Sequence, residues 1–122
     1  MGLTQPANTT RLKRELSRDA VALALSGEWG RAAEVNRAIL ELYSEDVEAM
    51  NRLGKSLIEL VRYDEAKEVL GRVVRIAPYN AIAKKNLARL TSLEGNPATT
   101  KQVRKAGSVP QLFIEESGKS GT

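Results

Sequence analysis

Cysteine and histidine are both absent from this chain of 122 residues. Without cysteine there is no disulfide and no thiolate chemistry, which favours a cytoplasmic location. Without histidine the chain lacks the commonest general base and the commonest transition-metal ligand. We therefore expect a protein that is not an enzyme, with no catalytic residues, no cofactor and no metal site.

Long apolar runs are missing as well. No stretch approaches the roughly 18 apolar residues that span a bilayer, and the N-terminus shows no secretory pattern, so we expect no membrane partner. The 19 Lys and Arg residues exceed the 15 Asp and Glu residues, giving a net charge of +4. Aromatic residues are missing around the basic ones, so nucleic acid is not favoured as a partner.

Five helical segments are predicted by apolar residues that recur at steps of three and four. The first begins at Thr9 or Thr10 and ends before a break at residues 27–30. The others cover residues 31–43, 48–61, 64–76 and 81–93, and Asp64 is the expected N-cap of the fourth. Pro78 ends that fourth helix because its ring disfavours the helical conformation at Ala77. The predicted fold class is all-α.

The first predicted helix pair contains unusual positions. Residues 20–25, Ala-Val-Ala-Leu-Ala-Leu, are apolar on nearly every side, and such a helix is usually covered on more than one side. Asp19 and Asn36 instead fall where apolar residues are expected. A partly wet face explains them best, and a polar contact with a partner is the alternative. We expect Trp29 to pack in the turn between helices, as Tyr63 should, rather than to anchor another protein.

A shift of 34 residues places small residues on small ones and large on large. Gly54 falls on Ala20, and Tyr63 falls on Trp29. Residues 47–80 contain Met50-x-x-Leu53-Gly54-x-x-Leu57, then Tyr63-Asp64-Glu65-Ala66-x-x-x-Leu70, and close on Ile76-Ala77-Pro78. This stretch resembles a tetratricopeptide repeat (TPR), a helix-turn-helix unit of 34 residues.

The resemblance implies stacked antiparallel helix pairs in a right-handed superhelix. Residues 10–95 would form two repeats, the first of them degenerate, plus one solvating helix. Residues 1–9 are then a flexible N-terminus and residues 96–122 an irregular tail, with a short helix at 97–105 and an extended segment at 109–114. Gly118-Lys119-Ser120 is not a phosphate loop, because Phe113 stands where that motif needs a glycine.

The resemblance also implies a concave groove lined by the first helix of each unit, where the family binds peptides. Arginine and lysine hold carboxylates and asparagine binds peptide backbone, so the expected partner is an acidic protein or peptide segment. A C-terminal carboxylate clamp is not expected, because Ser17 and Val21 replace residues that it needs. The alternative that these cations are only a solvated helix face is about equally favoured. The predicted groove residues are Arg14, Arg18, Asn51, Arg52, Lys55, Lys85, Asn86 and Arg89.

A different class of function also fits the sequence. Two and a half units leave two imperfectly sealed edges, and pairing of two copies would bury them. The alternative function is therefore a self-association domain of a larger protein, forming a homodimer through its repeat edges and its C-terminal tail.

Overall fold

The structure is a computed structural model that describes residues 6–95, with side chains from Ala7 onward. This part of the chain forms five α-helices and no strand, so the predicted all-α class is confirmed. The helices are α1 (Pro6–Leu25), α2 (Trp29–Leu42), α3 (Val47–Glu59), α4 (Tyr63–Ile76) and α5 (Ala81–Glu94). None of them is long and apolar enough to cross a membrane.

Neighbouring helices pack as antiparallel pairs joined by short turns. Each helix packs against the next one in the chain, and α1 also contacts α3 while α3 contacts α5. Because the direction alternates from helix to helix, the three odd-numbered helices run the same way. They lie side by side in one layer.

The core is centred on α3 and α4. Gly54 of α3 lies directly against Leu70 of α4, which is fully buried. Ala20 and Ala66 are also completely buried, as expected for small residues that let helices approach closely. The large side chains that fill this core include Ile39, Met50, Leu57, Leu70, Val73 and Leu90.

Several helix boundaries differ from the prediction. Helix α1 already includes Pro6, before the two threonines, and proline is well tolerated in the first turn of a helix. Asp64 is not an N-cap: α4 begins at Tyr63, and Asp64 lies in its first turn, where a negative charge is still favourable. Helix α3 ends at Glu59 because Val61 adopts a left-handed conformation with φ of 60°.

The end helix α5 agrees with the prediction. Ala83 and Leu90 are buried and Leu87 is partly buried, whereas Lys84, Lys85 and Arg89 are exposed. Ala88, which is 34 residues after the buried Gly54, is exposed too. Apart from Ile82, which is 59% exposed, the outer face of α5 therefore carries lysine, arginine and small residues that water can cover. The segments predicted at 97–105, 109–114 and 118–120 lie outside the described residues, as do residues 1–5.

Candidate functional site

One face of α1 carries a shallow, open depression with a volume of about 380 Å³, called the α1 groove below, and all of its lining residues lie on this one helix. Val21 is 44% exposed and Leu25 is 84% exposed, although both are apolar. Within the described residues 6–95, nothing covers residues 20–25 on a second side, so the expectation that this part of α1 is covered on more than one side is wrong there. The groove is lined by Arg14, Ser17, Arg18, Val21, Ala22 and Leu25.

Two arginines carry the charge of this α1 groove. Arg14 and Arg18 are exposed, and neither forms an ion pair with a residue in the described part of the chain. They lie four residues apart, so they share one side of the helix. Their sequence neighbours Glu15 and Asp19 project about 100° further round, because the helix has about 3.6 residues per turn. The α1 groove therefore has an almost entirely apolar lining, and two guanidinium groups lie on the same side of the helix.

Arg52, a predicted groove residue, is held by neighbouring helices. Its Nε donates to Oδ1 of Asn36 at 3.0 Å, and its Nη2 donates to Oγ of Ser17 at 3.3 Å. Asn36 is only 1% exposed, and its Nδ2 donates to the Ala32 carbonyl oxygen. The expectation of a partly wet face is wrong at Asn36, because the Arg52 side chain supplies the polar partner. Asp19 is exposed.

Asn51, another predicted groove residue, is also buried and hydrogen-bonded within the protein. It is 6% exposed, and its Nδ2 donates to Oδ1 of Asn80 at 3.0 Å. The same Asn80 oxygen accepts from the backbone N–H of Ala83, which makes Asn80 the N-cap of α5. Asn51 therefore fixes the start of α5 against α3, and sequence reasoning missed this role.

The remaining predicted cations lie on α3 and α5. Lys55 and Arg89 both pair with Glu59, at 3.6 Å and 3.1 Å. The Lys55 ammonium also lies 5.5 Å from the ring centroid of Trp29. Trp29, the first residue of α2, is partly buried, and Tyr63, the first residue of α4, is buried as expected. On α5, Lys85 is exposed and Asn86 is half-buried. The charge of Lys55 and Arg89 is therefore partly neutralised within the protein.

Sequence reasoning also missed an ion pair between α1 and the start of α3. The Asp46 carboxylate, whose side chain is 4% exposed, pairs with Lys13 and caps α3 by accepting from the Ala49 N–H. Burial raises the pKa of Asp46, but the hydrogen bonds from Lys13 and Ala49, with the charges of Lys13 and Arg52, outweigh it and hold the pKa below its ordinary value. An aspartate just before a helix is a recognisable cap signal, whereas its lysine partner is not.

Asp46→Asn is expected to lower the free energy of unfolding at pH 7 by about 1 kcal/mol, because asparagine keeps the cap but loses the ion pair. The folded-state pKa is lowered, so this stabilisation is present above the unfolded pKa. It is lost as the pH falls from about 4 through the folded pKa. Urea unfolding at pH 7 and pH 3 measures the difference between wild type and variant. A difference of the same size at both pH values would contradict this assignment.

Among residues 6–95, no group of three or more acidic residues is arranged to hold a metal ion. No protein-family model matches the chain, and no curated protein matches its sequence. The candidate site is therefore defined by geometry alone: a largely apolar groove on α1 beside Arg14 and Arg18, with further cations on α3 and α5.

Proposed function

We propose that this chain is a TPR-like interaction module that binds an acidic segment of a partner protein on the layer formed by α1, α3 and α5. The observation that carries the proposal is the α1 groove, where Arg14 and Arg18, which form no ion pair within residues 6–95, adjoin exposed Val21 and Leu25. The 34-residue spacing of small and large residues and the stacked helix pairs support the TPR-like assignment.

Binding would use shape and charge without catalysis, cofactor or metal. A guanidinium can hold a carboxylate through two parallel hydrogen bonds, which gives direction as well as affinity. Adjacent apolar side chains then favour a ligand that carries apolar residues beside its carboxylates. The proposed ligand is therefore an extended segment with both apolar and acidic residues.

The predicted groove residues other than Asn86 fall into three groups under this proposal. Arg14, Arg18 and Lys85 are exposed cations that a ligand can reach. Arg52 and Asn51 hold the helices in position through their internal hydrogen bonds. Lys55 and Arg89 can bind a carboxylate only in competition with Glu59.

Arg18→Glu is expected to weaken binding of a fluorescent acidic-apolar peptide by about tenfold, equivalent to about 1.4 kcal/mol. The loss combines a missing charge-assisted hydrogen bond with repulsion between carboxylates. Fluorescence anisotropy with the full chain at low salt measures the affinity. Arg75→Glu is the matched control, because Arg75 is also exposed but lies on α4, and this substitution changes the charge by the same amount. Equal weakening by both variants, or no binding by wild type, would overturn the proposal.

Self-association remains the second candidate, and one observation favours it. Tyr79 is 90% exposed, Ile82 is 59% exposed and Ile76 is 40% exposed, all near the turn between α4 and α5. Contact between two such patches would bury them. Light scattering at low and high concentration tests this, and Ile82→Asp should dissociate any dimer that uses the patch. A monomer at both concentrations would rule out this candidate.

A further inference from the structure

Two turns at one end of the molecule carry opposite charge. Residues 38–51, around the turn between α2 and α3, contain four carboxylates and no lysine or arginine. Residues 69–93, around the turn between α4 and α5, contain five cations and no carboxylate. Both turns lie at the same end because α2 and α4 run in the same direction. We call residues 41–48 the acidic turn and residues 75–84 the basic turn.

The 34-residue shift relates these two turns position by position. Glu41 falls on Arg75 and Leu42 falls on Ile76, so equivalent positions carry opposite charges, each beside an apolar residue. Leu42 is 36% exposed and Ile76 is 40% exposed. Nη2 of Arg72 in α4 donates to the Ser44 carbonyl oxygen at 3.2 Å, which holds the basic side of the surface next to the acidic turn. The two turns therefore form one end surface with an acidic half and a basic half.

The charges of this end surface are available to a partner. Glu41 and Glu45 are exposed in the acidic turn, and Arg75 and Lys84 are exposed in the basic turn. None of these four residues forms an ion pair within residues 6–95. The Lys84 ammonium lies 5.5 Å from the ring centroid of Tyr79, which is itself 90% exposed. The basic turn therefore combines unpaired positive charge with uncovered apolar surface.

We propose that this end surface binds the same surface of a second copy, with the basic turn of each copy against the acidic turn of the other. The two-fold axis lies in the end surface, midway between the two turns and perpendicular to the line that joins them. Rotation about this axis places every acidic turn on a basic turn, as a self-complementary interface requires. The inference rests on the second candidate function, self-association, and specifies the surfaces that meet.

Charge complementarity selects this arrangement over contact between two basic turns. Such a contact would bring Arg75 and Lys84 of one copy against the same cations of the other, and like charges disfavour association. In the proposed pairing, each pair of cations instead meets Glu41 and Glu45, and Tyr79 is covered. Two turns offer a small area, so we expect an interface below about 1,200 Å², in the class of weak contacts. Added salt should weaken it further by screening the charges.

Exchange of charge between the two turns tests the pairing. Glu41→Lys with Glu45→Lys makes both halves of the end surface basic, and Arg75→Glu with Lys84→Glu makes both halves acidic. Each double variant alone should dimerise with a dissociation constant at least about tenfold higher than that of wild type. An equimolar mixture of the two should recover the wild-type dimer, because both contacts then join opposite charges. Sedimentation equilibrium of the full chain, from micromolar to millimolar protein, measures the dissociation constants.

The mixture also separates a surface contact from a folding defect, because a misfolded variant would not be restored by the other. Arg31→Glu with Lys67→Glu is the matched control. It replaces two exposed cations near the opposite end of α2 and α4, and it should dimerise as wild type does.

Three results would overturn the pairing. A dimer that both double variants retain leaves self-association standing but rejects these surfaces. Loss of the dimer in the variants without recovery in the mixture, or loss in only one variant, assigns the contact to another surface. A wild-type monomer at every concentration rejects both the pairing and the second candidate function. Peptide binding at the α1 groove is measured separately with Arg18→Glu, so none of these results decides it.

Discussion

Gly54→Val is expected to lower the free energy of unfolding by about 2–3 kcal/mol, because it overfills a close helix contact. A β-carbon at this position would lie 2.5 Å from Cδ2 and 2.6 Å from Cγ of Leu70. The Cγ atom cannot move without displacing the whole side chain, which is fully buried. For a domain of this size the melting temperature should fall by about 10–20 °C, measured by circular dichroism.

Gly30→Val is the matched control for this prediction. Gly30 also lies in a helix, but a β-carbon there would have no atom within 4 Å. Its unfolding free energy should change by no more than about 0.5 kcal/mol. Adding Leu70→Ala to Gly54→Val should cost less than the sum of the two single losses, because alanine makes room for the new methyl groups. Equal losses at Gly54 and Gly30 would show that contact with Leu70 is not the cause.

Arg52→Met is expected to lower the free energy of unfolding by about 2 kcal/mol, because it leaves the buried oxygen of Asn36 without its donor. Asn36 is 1% exposed, so water cannot replace the guanidinium freely. The substitution also removes the hydrogen bond to Ser17 on α1. Arg52 of α3 thus links α1 and α2 to its own helix. In urea unfolding, Arg52→Met should show a lower midpoint concentration than wild type.

The double variant Asn36→Leu with Arg52→Met distinguishes this explanation from simple loss of packing. Replacing both polar partners by apolar groups removes the unsatisfied oxygen. The double variant should therefore be more stable than Arg52→Met alone, with a coupling energy of about 1 kcal/mol or more. Arg52→Lys should not restore wild-type stability, because one ammonium lacks the fork that reaches both acceptors. Strict additivity of the two single effects would contradict the proposed hydrogen-bond link.

The sequence by itself determined the all-α class and the size pattern along the helices. Steps of three and four mark a helix face, and the 34-residue shift identifies the positions where helices approach closely. Gly54 and Ala66 are buried where that pattern predicts. The polar face of α5 follows from its own residues, because exposed lysines are readily hydrated. These properties depend on residues near one another in the chain.

Only the tertiary structure decided which polar residues are internal. Arg52 meets Asn36 16 residues away and Ser17 35 residues away, and Lys13 meets Asp46, because helix packing brings those positions together. Helical periodicity places a side chain on a face but does not say which partner from another helix reaches it. The same reason explains the α1 groove: its residues are local, but whether another segment covers Val21 and Leu25 depends on how the whole chain packs.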